Sequence, residues 1–269
     1  TVCMDCHSKR DWSKFSGPPL EETLGMGGEI FDQKFGFPGK YYSKNITPEG
    51  ISHYTDGELF RVITTGVTDE GDAIFPVMPY HYYGQLDKED IKSIIAYLRT
   101  LKPIKNEVPK SISDFPMNFI INTLPKKATF TQIPEKSDIV NYGKYMTLAA
   151  NCIECHTKSE KGSLIAGTEF GGGREFPFPD GSIVRSSNIS PDNKTGIGTW
   201  TEETFVNIFH SRSDSLTLNT KLKPRDYNSI MPWTMYGKMT EVDLKAIFTY
   251  LKTLQPINNS VNIFTPASK

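Results

Sequence analysis

Two stretches constrain this chain more than any other: Cys3-Met4-Asp5-Cys6-His7 and Cys152-Ile153-Glu154-Cys155-His156. The pattern C-x-x-C-H occurs twice, 149 positions apart, and uses all four cysteines of the 269 residues. No thiol remains for a disulfide framework. Each copy presents two thiols three positions apart and an imidazole beside the second.

That spacing is the covalent attachment signature of c-type haem. The two thiols add to the two vinyl groups, and the adjacent imidazole reaches iron as its fifth ligand. Rival uses of paired cysteines fit less well. Structural zinc pairs sit closer in sequence. A thioredoxin-like dithiol expects a strand-to-helix context and needs no histidine. A disulfide scaffold expects a small, loop-rich chain. Two haem c groups are therefore expected, one on Cys3, Cys6 and His7, the other on Cys152, Cys155 and His156.

A net charge of −1 gives no sign of a nucleic-acid surface. No run of eighteen apolar residues is present to span a bilayer. Attachment of haem to C-x-x-C-H takes place outside the cytoplasmic membrane. A periplasmic protein is expected, with a leader or membrane anchor absent from this sequence.

From residue 1 to about 104 the chain reads as one module. A long Gly- and Pro-rich loop, Gly17 to Gly39, follows the first motif. A loop of that length is expected to wrap a large flat group. Thr55-Asp56-Gly57-Glu58 is a capping box opening a helix through Leu59, Val62 and Ile63, with Gly66 expected to end it. Met78-Pro79-Tyr80 follows in an irregular aromatic stretch, where proline keeps the methionine out of a helix interior. Met78 is the expected sixth ligand of the first iron, since a thioether binds haem iron well. A last helix begins near Asp87, with Ile91, Ile94, Ile95 and Leu98 on one face, Tyr97 expected to join it, and Pro103 beyond its end.

Residues 105–136 read as a proline-rich linker. Its apolar patch Met117-Asn118-Phe119-Ile120-Ile121 suggests that the linker lies on the domains instead of hanging free. Residues 137–269 then repeat the first module. Ile139 to Ala150 form a helix leading into Cys152, for which the first half has no counterpart; a lost first helix is the expectation there. Asn188-Ile189-Ser190-Pro191 matches Asn45-Ile46-Thr47-Pro48, Met231-Pro232-Trp233 matches Met78-Pro79-Tyr80, and Leu244, Ile247, Phe248 and Leu251 match Ile91, Ile94, Ile95 and Leu98. Met231 is accordingly the expected sixth ligand of the second iron.

Each half resembles a class I cytochrome c domain, so the expected fold is all-α: two tandem cytochrome c domains with long haem-wrapping loops. The pair resembles the cytochrome c subunits of bacterial alcohol, aldehyde and gluconate dehydrogenases. The N-I-[TS]-P and Met-Pro stretches, Thr195-Gly196-Ile197-Gly198-Thr199-Trp200 and Phe115-Pro116-Met117-Asn118 carry that resemblance. Those subunits commonly hold a third haem domain, and Tyr54 stands here where the second half has Trp200. The resemblance implies that Asn45, Asn188, Tyr54 and Trp200 border the haem propionates. Trp200 and Tyr54 also read as ordinary large core residues.

His53, His81 and His210 have no counterpart across the two halves and read as surface histidines, His81 being the strongest rival to Met78. Met26, Met117, Met235 and Met239 lack positional symmetry as well. Arg61 and Arg185 suit propionates chemically, with a plain surface role preferred. Iron with both axial positions filled passes single electrons. The expected function is electron transfer, as a carrier or as the cytochrome subunit of a dehydrogenase. The expected partners are a dehydrogenase donor and a cytochrome or terminal oxidase acceptor. The alternative is a di-haem peroxidase with one openable iron.

Overall fold

A computed structural model describes residues 2–160 and 162–268. The chain forms two compact units, and their sequence make-up is interleaved. The amino-terminal unit contains Val2–Asp11 and Pro19–Ile133. The carboxy-terminal unit contains Trp12–Pro18 and the described residues from Pro134 onward. The 105–136 stretch thus lies mostly within the first unit, which it joins through backbone and side-chain bonds. Among them, Tyr42 N donates to Ser111 Oγ (3.0 Å) and Thr129 N to the Gly84 carbonyl (2.8 Å).

In the amino-terminal unit the helices are α1 (Cys3–Cys6), α2 (Pro48–Ile51), α3 (Asp56–Thr65), α4 (Tyr80–Tyr83), α5 (Lys88–Arg99) and α6 (Met117–Ile120). Both arms of the α3 capping box form: Glu58 N donates to Thr55 Oγ1 and Thr55 N to Glu58 Oε2. Gly66 ends α3 at φ +77°, a left-handed position that glycine takes without penalty. Asp87 caps α5 by accepting from Glu89 N at 2.9 Å. Ile91, Ile95 and Leu98 are buried as their spacing predicts, but Tyr97 is 56% exposed and does not join that face.

In the carboxy-terminal unit the helices are α7 (Ile139–Ala149), α8 (Cys152–His156), α9 (Glu202–Ser213), α10 (Ser215–Leu218), α11 (Trp233–Tyr236) and α12 (Glu241–Lys252). Leu244, Ile247, Phe248 and Leu251 of α12 pack with Phe205 and Val206 of α9, and with Phe170 and Ile197, into the core of this unit. Fully burying one such side chain contributes about 1.5–3 kcal/mol. Helix α7 crosses α12 closely at Gly143, where a Cβ would collide with the Ala246 carbonyl. Tyr142 Oη ties the same crossing to Asp243 Oδ1 at 2.6 Å.

The fold is mostly helical, as expected, and carries small sheets beside the helices. Strands β1 (Ile30–Phe31), β2 (Gly39–Tyr42) and β3 (Ile112–Ser113) form an antiparallel sheet in the first unit. Strands β4 (Ser159–Glu160) and β5 (Ser163–Leu164) pair in the second. Also in the second, β6 (Glu175–Pro177), β7 (Ile183–Arg185) and β8 (Phe264–Thr265) form another antiparallel sheet. These strands are too short to print an alternating pattern in the sequence. The 105–136 stretch lies on its unit instead of hanging free, although Phe119 on α6 is 69% exposed and α6 presents much of its apolar surface outward. Among the described residues no helix is long and apolar enough to cross a membrane.

Candidate haem-binding sites

Both C-x-x-C-H motifs fold as a single helical turn. Cys3 and Cys6 bound α1, with His7 at its C-cap; Cys152, Cys155 and His156 all lie in α8. Residues three and four apart share one helix face, so each turn presents two sulfurs and an imidazole to one side. All four thiols are free of disulfides. Asn151 enters α8 at φ +53°, a left-handed turn that asparagine tolerates better than most residues and that redirects the chain out of α7.

The histidines are held alike. His7 Nδ1 lies 2.6 Å from the Lys44 carbonyl oxygen, and His156 Nδ1 lies 2.8 Å from that of Ser187. A carbonyl only accepts, so Nδ1 carries the proton and Nε2 carries the lone pair. This is the tautomer an iron ligand needs, with its orientation fixed by the outer bond. Burial holds both imidazoles below their ordinary pKa, against the opposing pull of these backbone bonds, and so favours the neutral form. Burial pushes the Cys6 and Cys152 thiols up to about 12, away from the low thiol pKa a redox-active dithiol requires. The donor set therefore suits two haem c groups.

A common hydrogen-bond frame surrounds each motif. Gly27 N donates to the His7 carbonyl at 2.9 Å, and Gly172 N to that of His156 at 2.8 Å. Asn45 Nδ2 donates to the carbonyls of Ile104 (2.8 Å) and Asn106 (3.5 Å), while its Oδ1 accepts from Thr47 N and Thr47 Oγ1. Asn188 repeats this with Ile257 (2.7 Å), Asn259 (3.5 Å) and both donors of Ser190. The two amides are buried and use their donors and acceptor within the protein. These bonds clamp the loop to the segment after the last helix.

Tyr54 and Trp200 are half-buried. Burial and a hydrogen bond to Asp69 push the Tyr54 phenol up to about 12. Trp200 packs against the core cluster of the second unit. Met78 and His7 belong to the amino-terminal unit, and Met231 and His156 to the carboxy-terminal unit. Each methionine precedes a proline that starts a one-turn helix, α4 or α11. Tyr80 N donates to the Met78 carbonyl (2.8 Å), and Trp233 N to that of Met231 (2.7 Å).

The rival side chains have other surroundings. His53 lies 3.7 Å from Asp69 and is largely exposed, His210 is exposed on α9, and His81 packs between Tyr80 and Tyr82. Met235 and Met239 line a cavity of about 110 Å³ with Met146, Ala149, Ala150 and Tyr236. Arg61 donates to the carbonyls of Thr68 and Asp69, and Arg185 binds Glu175, Asn262 and Thr265. Both arginines hold local backbone or strands.

Several residues escaped the sequence reading. Asp5, inside the first motif, forms a buried pair with Arg10 at 2.8 Å, and Glu154, inside the second, pairs with Arg174 at 2.7 Å. Burial raises the Asp5 carboxyl to about 6 even against the Arg10 charge. Arg99 of α5 grips the Ile51 and Tyr54 carbonyls, and Lys252 of α12 grips that of Gly198. Asn106 donates to Met26 O and Asn259 to Gly171 O. This last pair was detectable: Pro103-Ile104-Lys105-Asn106 and Pro256-Ile257-Asn258-Asn259 are a repeated short pattern.

Residues 140–255 match the sequence model of the cytochrome c family. The chain is similar to the fructose dehydrogenase cytochrome subunit of Gluconobacter japonicus, 28% identical over 80% of this chain and 45% of that protein. It is similar to the gluconate 2-dehydrogenase cytochrome c subunit of Pantoea cypripedii, 26% identical over 98% of this chain and 59% of the relative. A diheme cytochrome c-type protein of Cereibacter sphaeroides is 26% identical over 70% of this chain and 63% of its own length. The chain spans about half the length of the dehydrogenase cytochrome subunits it matches.

Proposed function

We propose, from the premise that residues 140–255 form a cytochrome c domain, that the amino-terminal unit is a second one. The chain then carries two haem c groups with His/Met ligation and transfers electrons as the cytochrome subunit of a periplasmic dehydrogenase. One observation carries the two-site reading: both motif histidines direct Nδ1 at a backbone carbonyl within the same repeated frame. The family match falls in the second half, and the repeated hydrogen bonds extend its logic to the first.

Haem bound at each motif supplies one-electron chemistry between the ferrous and ferric states. The chain's own residues do the rest. Cys3, Cys6, Cys152 and Cys155 fix the groups covalently. His7 and His156 hold Nε2 lone pairs in a set orientation, with the proton kept on Nδ1. Met78 and Met231 are the thioether donors, which favour the ferrous state more than a second histidine would. With an imidazole and a thioether offered to each haem, these residues would set its potential instead of binding a substrate. The donor is a dehydrogenase subunit, and the acceptor is another cytochrome or a terminal oxidase.

The test begins by counting haem per chain, with two expected. The oxidised protein should show the weak near-infrared methionine-to-iron band and stay inert to peroxide. Met78→Ala and Met231→Ala should each open one iron to cyanide. A haem count of one, a high-spin iron reacting rapidly with peroxide, or unchanged spectra in both variants would overturn the reading.

A further inference from the structure

Within the carboxy-terminal unit, the seven residues Trp12–Pro18 stand apart in sequence from the rest of that unit. They lie shortly after the first motif, yet they pack on the loop that carries Met231. Phe15 N donates to the Thr220 carbonyl (3.0 Å), Leu222 N donates to that of Ser13 (2.9 Å), and Lys14 pairs with Lys221 in an antiparallel bridge. Phe15 is buried against Tyr227, with the Arg212 guanidinium over its ring, and Trp12 meets Phe178 edge-on. The turn is shaped for this: a Cβ on Gly17 would lie 2.6 Å from the Trp12 ring.

Ser16 sits at its tip, almost fully buried, in a left-handed conformation at φ +62°. A non-glycine residue held there stores strain that the surroundings must offset. Its two donors show what does so. Ser16 N donates to Asn228 Oδ1 at 2.8 Å, and Ser16 Oγ donates to the Met231 carbonyl at 2.7 Å. Asn228 Oδ1 also accepts from Ser229 N, and Ser229 Oγ accepts from Met231 N and Trp233 Nε1. Met231 is thus gripped at its N–H by Ser229 and at its carbonyl by Ser16. The Met231 carbonyl also accepts from Trp233 N, as the Met78 carbonyl does from Tyr80 N; the Met78 N–H donates to the Phe75 carbonyl, and the Ser16 bond is the one added at Met231.

We infer that Ser16 is a positioning residue for the second iron, holding the Met231 backbone so that its thioether stays on the metal. This rests on Met231 being an axial ligand. Ser16, although encoded beside the first motif, then sets the strength of axial ligation at the second.

The experiment titrates cyanide into the oxidised full-length holoprotein. Met78→Ala and Met231→Ala assign the two binding phases. Ser16→Gly removes the hydroxyl, relieves the left-handed strain and keeps the N–H donated to Asn228; Ser16→Ala is the companion variant. Either should raise the apparent cyanide affinity of the Met231 phase about three- to tenfold, the range of one net hydrogen bond, and weaken the methionine-to-iron band of that haem alone. Lys14→Ala, which loses the Nζ bond to Asn219, should leave both phases unchanged. An unchanged Met231 phase in Ser16→Gly, or an equal shift in both phases, overturns the positioning role while leaving the ligand in place. If Met231→Ala itself leaves both phases as they were, the ligand assignment falls and the inference falls with it.

Discussion

At the residue scale, the acidic residues inside the two motifs are paired to different depths. The Asp5 and Arg10 side chains are 7% and 6% exposed; those of Glu154 and Arg174 are 32% and 24% exposed. Removing one partner of a buried pair strands the other charge in a poor solvent. Arg10→Ala should therefore destabilise the amino-terminal unit by about 3–5 kcal/mol. Arg174→Ala, where water reaches the remaining carboxylate, should cost about 1 kcal/mol. Chemical denaturation of each variant measures this, and equal losses would show that burial does not govern the two pairs. Neither arginine was visible as a partner in the sequence, because an ion pair is a fact of proximity and many lysines and arginines compete for each acid. The repeated asparagines were visible as residues, but their work was not. Asn45 and Asn188 read as cofactor contacts by resemblance; the bonds by which their amides clamp the Ile104 and Ile257 carbonyls could not be read from the sequence.

At the element scale, the helices were largely legible and the strands were not. Helix α12 announces itself through Leu244, Ile247, Phe248 and Leu251, whose 3.6-residue period needs only one buried face. The Gly143 crossing of α7 and α12 is a different kind of fact, since it depends on how closely two backbones approach. Gly143→Ala should cost about 1–3 kcal/mol through overpacking against the Ala246 carbonyl, although alanine is the better helix former. A thermal midpoint unchanged or raised in that variant would show that the helices can separate freely. Helix α5 supplies a pH test. Bonds from Glu89 N and Ile133 N hold the Asp87 carboxyl below its usual range. A carboxylate depressed on folding adds stability that is present above its unfolded pKa of about 3.9 and is lost as pH falls through the lower folded value. Urea midpoints of the parent should drop more steeply than those of Asp87→Asn as pH is lowered from 5 to 2. Parallel curves would remove Asp87 from the acid response.

At the scale of the whole molecule, the duplication is the organising fact, and one segment departs from it. Residues Trp12–Pro18 belong to the carboxy-terminal unit, although the sequence divides naturally at residues 104 and 137. Arg10 and Pro19 pair in an antiparallel bridge, so the two ends of the segment already lie side by side. Replacing Trp12–Pro18 by two glycines should close that turn and leave the amino-terminal unit folded. Amide exchange should then speed up around residues 220–231 while α3 and α5 keep their protection. Faster exchange confined to the amino-terminal unit would contradict the partition.

The sequence by itself determined the donor groups that each half presents. Two thiols and an imidazole at fixed spacing are local chemistry, set within five residues, and the Met-Pro turns and amphipathic helices are nearly as local. Tertiary structure alone decided which carbonyl orients His7 and His156, which arginine meets Asp5, and that Ser16 reaches the Met231 loop. These partners lie between 5 and 215 positions apart in the chain. Each is chosen by where packed elements bring backbone donors and acceptors together, and neither composition nor periodicity encodes that directly.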